Sequence, residues 1–152
     1  MIEDAVISAD GKNSKGVSYT EIADIDSFIE FYLINEWASN QDCGLTSTYM
    51  YKPQGKDKLY AGPLWDFDIA FGNDVFPEGE DNHTPEGFYI YNADRSKLWM
   101  KVLRNDEEFL KILKERYATM RADKDNILAH IDEVAAAQRE SAVLNDMKWH
   151  KL

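Results

Sequence analysis

Asp66 and Asp68 stand two residues apart in the run Ala61-Gly-Pro-Leu-Trp-Asp-Phe-Asp-Ile-Ala-Phe71, interleaved with aromatic and aliphatic residues. In an extended segment, side chains at i and i+2 share a face, so both acids are expected to point the same way. Two aligned carboxylates beside apolar walls repel one another and lose water, a cost that a cation, a proton or hydrogen-bond donors must offset. A hard divalent ion such as Mg2+ is the usual compensation. The same spacing also suits a turn or a helix cap, because Asp-x-Asp alone is a common surface pattern. A calcium loop is excluded by register. With Asp66 at its first position, Phe71 falls where glycine is required and Pro77 where glutamate is required.

A third acid lies upstream in Asn40-Gln-Asp-Cys-Gly44. The apolar helical pattern before it ends near Trp37 and Ala38, and Asn40, Asp42 and Gly44 break it. Asp42 is therefore expected on a loop between a helix and a strand-like run over residues 48–52. Ser47 follows five residues later, and Asp66 and Asp68 come after the hairpin. A base Asp, a polar residue at plus five and a metal-binding Asp after a short hairpin follow the order used by protein kinases. One acid orients the attacking hydroxyl while another carries the metal that clamps the phosphates. On this reading Asp42, Asp66 and Asp68 converge on one cleft.

The segments around these acids resemble the CotH kinase family, named for spore coat protein H. They are Ile25-Asp-Ser-Phe-Ile-Glu-Phe-Tyr-Leu-Ile-Asn-Glu-Trp37, Asn40-Gln-Asp42, Ser47-Thr-Tyr-Met-Tyr-Lys52 and Gly62-Pro-Leu-Trp-Asp-Phe-Asp-Ile-Ala-Phe-Gly72. Leu98-Trp-Met-Lys-Val-Leu-Arg-Asn-Asp-Glu-Glu-Phe109 and Asn145-Asp-Met-Lys-Trp149 are similar to the C-terminal part of that family, so the likeness spans residues 25–149. It implies an atypical protein kinase that moves the ATP γ-phosphate to Ser or Thr of a protein substrate, using Mg2+ or Mn2+. Carried over by position, Asp42 is the catalytic base and Asn40 braces its loop. Asp66 or Asp68 holds the metal, and Ser47, where family members often carry Asn, contacts the cofactor.

The resemblance covers the C-terminal, catalytic and metal-binding half of such a protein. No Gly-rich strand pair and no nucleotide-clamping lysine in a strand context precedes Asp42, since Lys12 and Lys15 lie in the loop-like Asp10-Gly-Lys-Asn-Ser-Lys-Gly16. The implied partners are a Ser/Thr protein substrate and an N-terminal remainder of the parent chain. Full ATP binding is expected only with that remainder, and the chain by itself is expected to be inactive. The family's setting points to an exported, surface or spore-coat parent, which the chain does not itself specify. A non-catalytic interaction module on the same fold, with the acids serving structure, is the competing reading. A carboxylate–metal hydrolase would carry further His or Asp ligands clustered near the pair, and these are missing from the sequence there.

Composition narrows the field. The 152 residues are 44% hydrophobic with four Trp, eight Tyr and seven Phe, which suits a folded domain and not a disordered chain. A net charge of −11 argues against nucleic acid as the main partner, because phosphates would be repelled. The same charge favours metal-assisted phosphate chemistry over metal-free binding. Cys43 is the lone cysteine, so no internal disulfide or thiolate cluster forms, and with no His near it in sequence it is not read as a nucleophile. No apolar run is long enough to span a membrane.

The elements that must position the acids are read as an α+β fold, mainly helical with a small β-hairpin, like the C-terminal lobe of a kinase. Residues 1–24 form an irregular leading segment and 25–152 the domain. A helix is expected over 26–38, capped by Asp26, with Phe28, Ile29, Tyr32, Leu33 and Trp37 at helical spacing. The hairpin pairs 48–51 with 58–64. An acidic loop over 72–94, containing His83, is either a substrate-attracting or a solvated segment. Beyond it, Leu98, Trp99, Val102 and Leu103 make one apolar stripe. A helix starting at Asn105 carries Phe109, Ile112, Leu113, Tyr117 and Met120 on one face, with Lys111, Lys114, Arg116 and Arg121 solvated. A last helix from Asp125 turns Ile127, Leu128, Ile131, Val134 and Ala135 inward.

Overall fold

Helix α3, Ile25–Trp37, gives the apolar core a larger share than any other described element: Phe28, Ile29, Phe31 and Tyr32 are buried along it. It belongs to a computed structural model that describes residues 2–44, 46–73, 86–88, 90, 103 and 105–150. Before it come α1 (Ile2–Ile7) and α2 (Tyr19–Ile22); after it come β1 (Met50–Tyr51), β2 (Tyr60–Ala61), α4 (Glu107–Ala122) and α5 (Lys124–Trp149). The architecture is α+β, mainly helical with one two-stranded antiparallel sheet, as read from the sequence. The chain divides into two compact units, 1–116 and 117–152, with the boundary inside α4.

In the first unit, the cap of α3 is Asp24 and not the expected Asp26. The Ser27 N–H donates to the Asp24 carboxylate at 3.1 Å, which satisfies one of the orphan donors of the first turn. Asp26, one position inside the helix, instead pairs with Arg116 of α4 at 3.1 Å on the surface. Arg116 is thus not merely part of a solvated basic face. The first turn of α3 also holds the hairpin. Ala61 N–H donates to Ser27 Oγ at 3.2 Å, Asp24 N–H to Leu59 O at 2.8 Å and Leu59 N–H to Ile22 O at 2.8 Å.

The hairpin is shorter than the alternation suggested. Met50 pairs with Ala61 and Tyr51 with Tyr60, and the Tyr51 and Tyr60 rings stack at 5.6 Å. Pro53 O accepts from Lys56 N–H at 3.1 Å, closing a turn in which Gly55 takes φ +74°, a conformation that glycine adopts without steric cost. Leu59 is lost from pairing with β1 because its backbone already bonds to Ile22 and Asp24.

The leading segment is better packed than its composition implied. Ala5, Val6, Tyr19 and Ala23 are buried and join the cluster built on α3, together with Cys43, Ile90, Leu103 and Phe109. A capping box at Ser18 and Glu21 starts α2, a local pattern that turns a short polar stretch into helix. Leu103 is buried as the stripe reading expects. Leu98, Trp99, Val102, His83 and most of the 72–94 loop lie outside the described residues.

Helix α4 begins at Glu107, and Asp106 is its cap rather than Asn105: Phe109 N–H donates to Asp106 Oδ1 at 2.9 Å. The other oxygen of Asp106 accepts the buried Tyr19 hydroxyl at 2.6 Å. In the second unit, α5 runs to Trp149 and ends on His150 in the left-handed conformation. No residue of α5 is buried, so Leu128, Ile131 and Val134 are exposed and do not face inward as expected. Their spacing marks a stripe that apolar chemistry would cover, but spacing cannot say by what.

Asp106 couples a cap to a buried hydroxyl, so Asp106→Ala removes both. A lost cap costs about 1 kcal/mol and an orphaned buried hydroxyl about 1–3 kcal/mol. The urea midpoint of the full chain should fall by an amount equivalent to about 2–4 kcal/mol. A loss no larger than that of an ordinary surface substitution would show that neither bond supports the fold.

Candidate functional site

The loop bearing Asp42 is fixed by two neutral amides. Asn35, in the last turns of α3 and 2% exposed, donates from Nδ2 to Phe31 O at 2.8 Å. Its Oδ1 accepts from Asn40 Nδ2 at 2.9 Å. Asn40, equally buried, then uses its own Oδ1 to accept the Asp42 N–H at 3.2 Å. The backbone repeats the tie, with Asn40 N–H donating to Asn35 O at 3.0 Å. Ser39 takes φ +50° to bring Asn40 back under the helix end.

The loop bearing Asp66 and Asp68 is not extended. Asp66 adopts φ +62°, a left-handed conformation that Asp tolerates better than most residues. This break removes the i, i+2 geometry from which a shared face for the two acids was inferred. Asp66 is held by Ser47, whose Oγ donates to Asp66 Oδ2 at 3.1 Å. Downstream, Phe71 at φ +57° donates its N–H to Ala38 O at 2.7 Å. Its ring meets Trp37 edge-on at 5.6 Å. These contacts offset the cost of a bulky residue at positive φ. Asn73 Nδ2 donates to Asp68 O at 2.5 Å and closes the loop.

The structure thus brings Ser47 to Asp66 and joins the two loops again at Ala38 and Phe71. Asp42 is half-buried, whereas Asp66 and Asp68 are exposed. Trp65 is 57% exposed and does not wall the acids from water. Beside the start of this loop, Phe31, Ile34, Tyr51, Pro63 and Leu64 line an open cleft of about 400 Å³.

Among the described residues no group of three or more His, Cys, Asp or Glu side chains could hold a metal ion. Asp42, Asp66 and Asp68 are all among those residues, so the three acids expected on one cleft do not form such a group. Asp66 and Asp68 are open to solvent, and the Ser47 hydroxyl is bonded to the first. Cys43 is buried, and burial, with the nearby Glu36 charge, pushes its thiol up to about 12. It is a packing residue of the loop.

Two features of the site were missed in the sequence. Asn35 lies in register with Phe28 and Tyr32 on the buried face of α3, and a polar residue on an apolar stripe is the signal that could have found it. The tie between Phe71 and Ala38 uses backbone atoms and leaves no side-chain trace.

Carboxylates on two loops joined to one helix in an α+β domain define a class of site, not a protein. The model of one family, CotH kinase protein, matches residues 6–152, and the chain belongs to that family. The match begins well before Ile25, taking in most of the leading segment. No curated protein matches the chain, and no solved structure does. Membership carries a kinase-related function in general.

A thiol held neutral by burial contributes stability that is intact below about pH 9 and is lost as the pH rises towards about 12. The urea midpoint should fall over that interval, and less steeply in Cys43→Ala. The Tyr19 hydroxyl, also raised by burial and by Asp106, leaves part of the alkaline loss in place. An identical slope in the two chains would place the thiol in contact with water.

Proposed function

We propose that the chain carries the catalytic and metal-binding part of a CotH-type protein kinase, acting on a Ser or Thr hydroxyl of a protein substrate. One observation carries this reading: the loop with Asp42 and the loop with Asp66 are bonded to each other at Ser47–Asp66 and at Ala38–Phe71. On this reading, the two chemical duties that a phosphoryl transfer separates belong to segments that are tied to each other.

Asp42 accepts the proton of the attacking hydroxyl and orients it. A half-buried carboxylate on a braced loop suits that duty, because a base must hold its position while remaining reachable. Asn40 transfers no proton; both its polar side-chain atoms are engaged, and it sets the backbone of Asp42. Asp66 and Asp68 would hold Mg2+ or Mn2+, and Ser47 aligns Asp66. When bound, the metal and ATP supply the γ-phosphate and the positive charge that its transfer requires. The exposure of Asp66 and Asp68 leads us to expect weak transfer from the 152 residues alone, since charge stabilisation needs a site closed to water. A non-catalytic interaction module is the second reading, favoured by the exposure of Tyr49, Trp65 and Phe71 around the same loops.

Kinetics on the protein as its own cell makes it separate the two. Asp42→Ala should lower phosphate transfer by about 100- to 10,000-fold while ATP and Mn2+ affinity stay within about two-fold, because a base acts in the transition state. Equal transfer before and after the change removes Asp42 from the mechanism.

The metal assignment is tested by calorimetry with Mn2+ and ATP. Asp68→Asn keeps the shape and removes a charge, so affinity should fall while the far-ultraviolet dichroism stays the same. Asp66→Asn should weaken metal binding as well. If both variants bind Mn2+ as tightly as the parent, the pair is structural.

A further inference from the structure

Asn35 touches none of the proposed reacting groups, yet it is the buried end of a side-chain path that reaches the backbone of Asp42. The path runs from Phe31 O to Asn35 Nδ2, from Asn35 Oδ1 to Asn40 Nδ2, and from Asn40 Oδ1 to the Asp42 N–H. Each polar atom of the Asn35 amide is used once within the helix or once across to the loop. We infer that Asn35 is a positioning residue: it sets the height and rotation of the Asp42 loop on the end of α3 through Asn40. The catalytic half of this inference rests on the assignment of Asp42 as base.

Three facts separate this role from ordinary core filling. The residue before the loop, Ser39, is at φ +50°, so the chain must be held where it folds back. The next helical residues, Glu36 and Trp37, make ties of their own, Glu36 accepting the Ile90 N–H at 3.0 Å with its charge near Cys43, and Trp37 meeting Phe71. Among the described residues, the Asn40 side-chain amide is bonded to Asn35 Oδ1 and to the backbone N–H of Asp42. An apolar residue at 35 would fill the same space but leave the Asn40 amide without its acceptor in a buried place, and the loop would be freed to move.

Cys43, buried one residue beyond Asp42, is a built-in reporter of that motion. The experiment compares Asn35→Leu with the parent chain, following Cys43 labelling by a thiol reagent at pH 8 across a urea series below the unfolding transition. Labelling should be at least about ten-fold faster in the variant and nearly independent of urea, the mark of a local opening. In the catalytically competent protein, kcat for phosphate transfer should fall by about ten-fold or more while KM for ATP is unchanged. Should Asn35→Leu fail to fold, Asn35→Ser, whose hydroxyl is too short to reach Asn40, carries the same test. Acceleration that follows urea as steeply as global unfolding would make Asn35 a core residue only and overturn the inference. So would a raised KM at constant kcat. Full transfer by Asp42→Ala would overturn the base assignment, and with it the catalytic role of Asn35, whereas unchanged labelling would overturn its hold on the loop; the two failures are read on different axes.

Discussion

The segment between Leu59 and Phe71 is fastened to α3 at both ends, and the placement of the candidate site depends on that. At the start of the helix, Leu59 and Ala61 bond to Ile22, Asp24 and Ser27; at its end, Phe71 bonds to Ala38. A 13-residue helix is a rigid spacer of roughly 20 Å. With both ends of the segment set on it, the loop closes at a cost in entropy already met by the core packing of Phe28, Ile29 and Tyr32. Ser47 then adds a third fixed point, at Asp66 itself.

The chain reserves its charge for the surface. With a net charge of −11, burying a carboxylate without a partner would be severe, and the loop of Asp42 is instead secured from below by neutral amides, Asn35 and Asn40. Neutral donors and acceptors can be fully satisfied inside a core without a counter-ion. The acids of the second loop remain open to solvent, where water screens their charge. Cys43 obeys the same rule, kept neutral by its burial and by Glu36.

Several elements were legible because they depend on local chemistry. The apolar spacing of Phe28, Ile29 and Tyr32 specifies a helix in any context, and Pro53 and Gly55 specify the turn of the hairpin. The order of Asp42, Ser47, Asp66 and Asp68 was equally plain, and the family match supports the likeness drawn from those runs. Ala5, Val6 and Tyr19 were harder to place. Gly11 and Gly16 made the leading segment look loose, and only contact with α3 turns those scattered apolar residues into core.

By itself the sequence determined the family likeness, the order of the candidate acids and which stretches become helix or turn, because these follow from side-chain type and short-range periodicity. Only the tertiary structure decided that Asp66 leaves the extended conformation, that Asp24 rather than Asp26 caps α3, and that Asn35 lies beneath the Asp42 loop. Asp66 is tied to Ser47 and the Asp24 backbone to Leu59, both distant in the chain, whereas Asn35 meets Asn40 five residues on, across the chain reversal at Ser39. The two long-range bonds follow no period along the chain, while the third shows there only as a polar residue on an apolar helical stripe.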